Sequence, residues 1–523
     1  YFHNLSYDGR MFCDQRITSI TMGANRIIEM VILTKDGYKL TLRDSLMLIN
    51  FKLADFPKLF KFDDESKKIF PYSFIELEKT NYPEYKATIS DIIDSQKWEQ
   101  RQIQEFIEGL EKDKLIENNV VDIRAMIQSY IESDVKILRK GLIIFRNDLK
   151  TSLDLDLMQY ISISSIAFDY MKREAFAGEN IYQYTGEIRD FIRQAVYGGR
   201  CMTRGNNAYK MDNIKIDDID ACSLYPSAMS KLSIPKGAPL KKEKPTREWL
   251  ENGLKDGTIN AAIVRITIID IGQTLQFPLI CERDKNGVVQ YENYVGGEMV
   301  VDDIQLLEMI KWQKIDYTIH ECLYWNKGVS TKIQGVIRYL YEKRKEAKQQ
   351  KSSIEQVYKL IMNSSYGKCI EMTHPYETVI VEGKNYINHL FQNYTNIQRI
   401  DEIASFDREI INNPMKEEDV DTTRQYIFRE YKQYDNFFVP TMIGVRILSM
   451  SKKLMNEVMV PAELSGIVIF YQDTDSMHVI ASQVPLLEDA WRRFNNKGPE
   501  EKLIGNDLCQ FHSDFEPING NPT

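Results

Sequence analysis

The sequence predicts a mixed α+β protein of several domains, and three observations predict it. Residues Gly23 to Leu48 alternate apolar and polar side chains around Ile28, Met30, Ile32, Tyr38 and Leu40, with Asp36-Gly37 as a hairpin turn, so the chain opens with strands. From Ile92 to Leu142 the apolar spacing turns helical. At 523 residues and 43% hydrophobic, the chain has apolar surface for more than one core.

Charge and cysteine usage narrow the class. The formal net charge is −9, so any nucleic-acid surface has to be local rather than a global basic field. Cys13, Cys201, Cys222, Cys281, Cys322, Cys369 and Cys509 are scattered without a Cys-x-x-Cys pair, which argues against a zinc ribbon or a disulfide framework and for a reducing compartment. The six histidines form no pair at metal-ligand spacing and are read as structural. No apolar run reaches the roughly 18 residues of a membrane span. The chain starts at Tyr1 and stops at Asn521-Pro522-Thr523, and is expected to be a piece of a longer protein.

Further along, Lys241 to Lys255 is polar and lysine-rich and marks an insertion. Thr331 to Gln350 carries Ile333, Val336, Ile337 and Leu340 at i, i+3, i+4 and i+7, beside Arg338, Lys343, Arg344, Lys345 and Lys348, which predicts an amphipathic helix with a basic end. The acidic run Glu417 to Asp421 lies in a second polar excursion between Glu371 and Asn436.

Three constellations carry chemistry. Asp473-Thr474-Asp475 follows the apolar run Gly466 to Tyr471 and precedes Met477 to Ile480, which sets two carboxylates at the tip of a two-strand turn. Carboxylate oxygens are the hard ligands that Mg²⁺ takes, although an acidic turn by itself is more often a solvated hairpin tip. Asp220-Ala-Cys-Ser223-Leu224-Tyr225-Pro226-Ser227 reads as strand, acid, then a helix opening near Ser223 or Pro226; a plain capping segment is the bland alternative. Lys359, Asn363 and Tyr366 share one helical face opposite Ile354, Val357 and Ile361. A lysine there can neutralise phosphate and a tyrosine can stack a base, where a surface lysine beside a half-buried tyrosine is the default. Two strand-borne acidic sites and a basic substrate helix together are what two-metal phosphoryl transfer requires.

These residues resemble motifs A, B and C of family B DNA polymerases: Asp220-x-x-Ser223-Leu224-Tyr225-Pro226, Lys359-x-x-x-Asn363-Ser364-x-Tyr366-Gly367 and Tyr471-x-Asp473-Thr474-Asp475-Ser476. Within that family the chain is similar to the protein-primed branch of linear plasmids and viruses. That likeness rests on Tyr197-Gly198-Gly199-Arg200, Thr441-x-x-Gly444, Phe511 to Phe515 and the long segments after motifs A and B. His3-Asn4-Leu5-Ser6-Tyr7-Asp8 and Tyr130-Ile-Glu-Ser-Asp134 resemble the second and third motifs of a 3′–5′ exonuclease, and Ser45-Leu46 resembles its primer-holding element.

The resemblance implies an RNase H-like exonuclease domain (1–165), followed by a right-hand polymerase. The latter comprises palm with motif A (166–230), a first insertion (231–325), fingers with motif B (326–370), a second insertion (371–436) and palm with motif C (437–523). The first exonuclease motif and the thumb are expected beyond the two ends. It implies that Asp220, Asp473 and Asp475 are catalytic, with Asp220 and Asp475 bridging two Mg²⁺ ions (Mn²⁺ as substitute) and Asp473 in support. Ser223, Leu224, Tyr225, Lys359, Asn363 and Tyr366 would bind the deoxynucleoside triphosphate, with Lys348 or Arg344 as second cation. Tyr197, Gly198, Gly199, Arg200, Thr441 and Gly444, with Arg204, would bind primer–template DNA. Asn4, Asp8, Ser45, Leu46, Tyr130 and Asp134 would serve the exonuclease. A terminal protein primer and a place in host cytoplasm or mitochondrion are also implied. The competing expectations are a nucleic-acid-binding remnant without turnover and a metal-dependent glycosyltransferase using Asp473-Thr474-Asp475.

Overall fold

A computed structural model describes residues 1–12, 16–23, 26–62, 67–75, 85–210, 214–285, 287–371, 376–393, 397–402, 425–431 and 439–514. The chain divides into two units. The first comprises Tyr1–Ile163, Arg344–Val357 and His374–Gln433; the second comprises Ser164–Lys343, Tyr358–Thr373 and Tyr434–Thr523.

In the first unit, β1 (Arg16–Gly23), β2 (Arg26–Leu33) and β3 (Lys39–Arg43) form an antiparallel sheet in that order. Gly37 takes φ +83° in the turn between β2 and β3, where the hairpin was expected, because only a residue without Cβ adopts that conformation freely. Met30, Ile32 and Leu42 are buried with Leu5 and Ile17, whereas Tyr38 and Leu40 stay exposed at the start of the edge strand β3. The helical spacing after Ile92 becomes Gln100–Lys112 and the 31-residue α1 (Ile123–Leu153), separated by a small hairpin at Ile116–Glu117 and Val120–Asp122. Asp122 starts α1 by accepting a hydrogen bond from the Ala125 N–H at 3.1 Å, as an N-cap carboxylate does. Strands Tyr376–Glu382, Gln425–Tyr431 and Ile397–Glu402 form a further sheet, and the Gln425 side-chain amide brackets the backbone N–H and C=O of Ile17. The acidic run 417–421 lies outside the described residues.

The second unit is built on a five-stranded sheet. Its strands are β4 (Cys201–Thr203), β5 (Ile216–Ala221), β11 (Ile469–Asp473), β12 (Ser476–Ile480) and β13 (Phe511–Ser513), ordered β13-β5-β12-β11-β4. Between β5 and β11 the chain builds a second sheet from Leu240–Lys241, β6 (Ala261–Ile271), β9 (Glu298–Asp302) and β10 (Ile315–Trp325), plus a separate hairpin of β7 (Cys281–Arg283) and β8 (Val289–Tyr291). One hydrophobic core joins the two sheets: Ile219, Met477, Val479, Ile469 and Phe511 pack in the same cluster as Ile266, Ile268 and Cys322. The period-2 alternation of strands does the rest. With Ile219, Met477 and Val479 turned into the core, Asp218, Asp220, Ser476 and His478 stand on the other face.

Helices α2 (Leu224–Met229), α3 (Asp303–Gln313) and α7 (Thr441–Leu464) belong to this unit. The predicted basic helix is α4 (Lys332–Gln349), on which Ile333, Ile337 and Leu340 are fully buried. The predicted substrate helix is α5 (Ile354–Ser364), with Val357 and Ile361 buried, followed by α6 (Gly367–Ile370). Helix α4 starts in the second unit and its last turns count with the first. Six cysteines, all but Cys13, are described and all six are free thiols. Among the described residues no helix is long and apolar enough to cross a membrane.

Candidate active site

The acidic turn is the tightest feature of the second unit. Asp473 ends β11, Thr474 takes a left-handed φ of +55°, and Ser476 begins β12. Ser476 pairs with Asp220 across β5, and the Ala221 N–H donates to the Asp475 carbonyl at 2.8 Å, so backbone pairing alone brings motif-A and motif-C carboxylates together. Two acids to which the sequence argument gave no role join them. Asp218 lies two residues before Asp220 on the same strand face, and the Asp514 N–H donates to the Asp218 carbonyl at 2.9 Å.

The electrostatics follow from that crowding. Burial, reinforced by Asp475, Asp514 and Asp218, pushes the Asp220 carboxyl up to about 7. Asp475 is also raised, by burial first and then by Asp473, Asp218 and Asp514. Oxygen donors that hold each other's charge in check are suited to a hard divalent cation, and Mg²⁺ needs only a few such ligands beside substrate oxygens. Among the described residues no three of His, Cys, Asp or Glu are already closed around one point as a preformed metal cage.

Beside the carboxylates, Ser223 adopts φ +51° at the start of α2, which turns the chain sharply from strand into helix. Leu224 is buried beneath the turn, and the ring of Tyr225 stacks on Tyr366 at 3.9 Å between centroids with 18° between planes. Tyr366 follows α5, which carries half-buried Lys359 and exposed Asn363. The second cations behave differently. Lys348 is exposed on the part of α4 that belongs to the first unit, and Arg344 forms an ion pair with Glu355 at 3.6 Å.

Of the residues expected to touch DNA, Arg200 departs from expectation. Arg200 is buried, not part of a charged track: its guanidinium donates to Gln472 Oε1 at 2.8 Å, Asn456 Oδ1 at 2.7 Å and the carbonyls of Phe277 and Pro278 at 3.0 and 3.1 Å. Tyr197 and Thr441 are buried as well. Gly444 marks a close helix crossing, because a Cβ there would lie 3.1 Å from the Cys369 backbone on α6. Gly199 is pressed against the acidic turn, since its Cβ would fall 2.6 Å from Thr474 Cγ2. Gly198 is exposed and Arg204 is half-buried. Of this set, Gly199 and Arg200 hold the acidic turn in place; a lone arginine or tyrosine in a sequence does not reveal that it is buried.

The first unit holds a second acidic group. Asp44, which sequence reasoning missed, is buried, accepts hydrogen bonds on one oxygen from the Asn4 N–H (3.0 Å) and the Leu46 N–H (2.9 Å), and keeps its other oxygen unpaired. It thereby ties Asn4 to the Ser45-Leu46 element. Asp8 is raised by burial and then by Asp44. Tyr130 and Asp134 share a face of α1, with Asp134 paired to Lys67 at 3.1 Å and the Tyr130 hydroxyl 2.6 Å from that of Tyr72. His3, which was assigned no chemistry, places Nδ1 3.0 Å from Ser45 Oγ and Nε2 2.9 Å from the Phe51 carbonyl. Burial lowers its pKa, and Asp44, Lys67 and Asp134 all act on it.

Comparison with known proteins gives the chain a lineage. The family model of DNA polymerase type B, organellar and viral, matches residues 1–459. A probable DNA polymerase of Ascobolus immersus is 25% identical over 257 residues, covering 46% of this chain and 20% of that protein; one of Neurospora intermedia is 26% identical over 259 residues, covering 46% and 25%. The chain thus spans about a fifth to a quarter of the length of these relatives. Phi29 DNA polymerase complexed with primer–template DNA superposes with a TM-score of 0.60 at 16% identity over 98% of this chain and 74% of that one. Its ternary complex with incoming nucleotide gives 0.59 at 16% identity, over 98% and 75%. The mixed α/β, multidomain fold is thus that of phi29 DNA polymerase, and the chain belongs to the organellar and viral type B DNA polymerases.

Proposed function

We propose that this chain is the catalytic body of a template-directed DNA polymerase, primed by a terminal protein, with part of a proofreading exonuclease site in its first unit. The observation that carries the polymerase reading is the convergence of Asp220, Asp473 and Asp475 at one turn, in the unit that also holds the stacked Tyr225–Tyr366 pair. Membership of a polymerase family supports it.

Asp220 and Asp475 would hold two Mg²⁺ ions, with Asp473 in support; bound there, the ions would supply an acidified primer 3′-hydroxyl and charge neutralisation on the triphosphate. Everything else falls to the chain's own groups. Lys359 sets positive charge against the phosphates, and the Ser223–Leu224 turn presents backbone to the triphosphate. Tyr225 packs beneath the deoxyribose, and Tyr366 with Asn363 lines the nascent base pair. In the first unit, Asn4, Asp8, Ser45, Leu46, Tyr130 and Asp134 would serve the exonuclease. The family's organellar and viral members support replication in host cytoplasm or mitochondrion.

The test is extension of a primed DNA template with Mg²⁺ and deoxynucleoside triphosphates, comparing the chain with Asp475→Asn. Template-directed extension in the parent and a loss of about 10³-fold or more in the variant are expected, since removing one preorganised charged group at a reacting centre costs on that order. Extension that survives Asp475→Asn would sink the assignment.

A further inference from the structure

The segment Val196 to Arg200 runs beside the acidic turn, and its backbone carbonyls are held one after another. The Val196 carbonyl accepts from the Arg283 guanidinium, that of Tyr197 from Lys452 Nζ at 3.2 Å, and that of Gly198 from the Tyr291 hydroxyl at 2.8 Å. The Arg200 carbonyl accepts from the Thr474 N–H at 2.8 Å. Two of these donors, Arg283 and Tyr291, come from the β7–β8 hairpin, which is remote in sequence from both metal-binding motifs.

Tyr291 acts twice. It is buried, and its ring lies 6.0 Å from the Arg200 guanidinium, which in turn holds Gln472, the neighbour of Asp473. There is no slack in the next link: a Cβ on Gly199 would lie 3.2 Å from the Thr474 Cα. A shift of the segment is therefore passed to the turn rather than absorbed.

From this geometry we infer that the β7–β8 hairpin is a positioning element for the catalytic turn. Tyr291, with Arg283, fixes the Val196–Arg200 segment by its carbonyls, and the segment fixes where Asp473 and Asp475 stand. The consequence for nucleotide incorporation rests on the polymerase reading; the consequence for the acidic site itself rests only on these contacts.

Tyr291→Phe deletes one O–H and keeps the ring, and Arg283→Lys keeps the charge while losing the planar guanidinium. Gln290→Ala, at an exposed position of the same hairpin, is the control. The readouts are kcat and nucleotide KM on primer–template, the Mg²⁺ concentration for half-maximal rate, and the rise in melting midpoint that Mg²⁺ produces without DNA or nucleotide. Tyr291→Phe should lower kcat about 3- to 10-fold, the range of one hydrogen bond, leave nucleotide KM unchanged, raise the half-saturating Mg²⁺ and shrink the Mg²⁺-induced rise. Arg283→Lys should move the same readouts in the same direction, and Gln290→Ala should match the parent. A lower metal-free midpoint with an unaltered Mg²⁺ response in both hairpin variants would reduce the hairpin to packing and overturn the inference. So would a parent whose melting ignores Mg²⁺. If parent and variants all fail to extend primers yet Tyr291→Phe still weakens the Mg²⁺ response, the polymerase reading falls and the positioning role stands. If the parent extends primers and Tyr291→Phe matches it in every respect, the reverse holds.

Discussion

Asp220 is the residue on which folding and function pull apart. Its carboxyl is raised from the usual 3.8 to about 7, by burial first and then by three neighbouring acids. Between those two values the folded protein holds a proton that the unfolded chain has released, so the stability from this group falls as pH rises through the window and the full cost is present above it. Asp220→Asn should therefore raise the metal-free melting midpoint at pH 8 by on the order of 1–2 °C, give no gain at pH 4, and abolish primer extension. A midpoint at pH 8 that does not rise would refute the electrostatic account. Gly199 supplies a second test at this scale, because any side chain there meets Thr474. Gly199→Ala should cut extension at least about 10-fold by displacing the turn, and adding Thr474→Ser, which removes the nearest methyl, should recover part of that loss. Equal activity of Gly199→Ala and parent would show the contact to be compliant.

Among the elements, α5 offers the plainest case of a face readable in advance. Val357 and Ile361 are buried where the 3.6-residue period put them, and Lys359 with Asn363 is left on the opposite face. Lys359→Met preserves the stem and deletes the charge, and should lower kcat/KM for nucleotide about 10- to 100-fold, the range of one charge-assisted contact; steady-state kinetics at fixed DNA would read it. The β11–β12 turn was equally legible, since two apolar runs flanking a short acidic stretch read as two strands and a turn. What alternation cannot supply is the partner of each strand. Ser476 and His512 both lie opposite Asp220, and nothing local in the chain announces either pairing. For that reason Asp514 was quoted within a motif yet not placed, whereas Asp218 carried a usable signal in its two-residue spacing from Asp220. Arg200 was set on a charged track for another reason: charge signals exposure on average, and here it is buried.

Over the whole molecule, two units with separate cores exclude a single cooperative unfolding step as the default. Scanning calorimetry should resolve two components, and primer–template with nucleotide should raise the one that holds Tyr225 and Asp475 by mass action. One transition that shifts as a whole would mean the units melt together. The order of the five-stranded sheet carries a further consequence, for synthesis on the ribosome. Strand β5 is an interior strand, and both of its neighbours, β12 and β13, are translated more than 250 residues after it. At about 5–20 residues per second, β5 waits for its two strand partners on the order of tens of seconds. During that interval the nascent chain carries Asp220 on an unpaired, apolar-backed strand, whose open backbone groups are a template for wrong pairing.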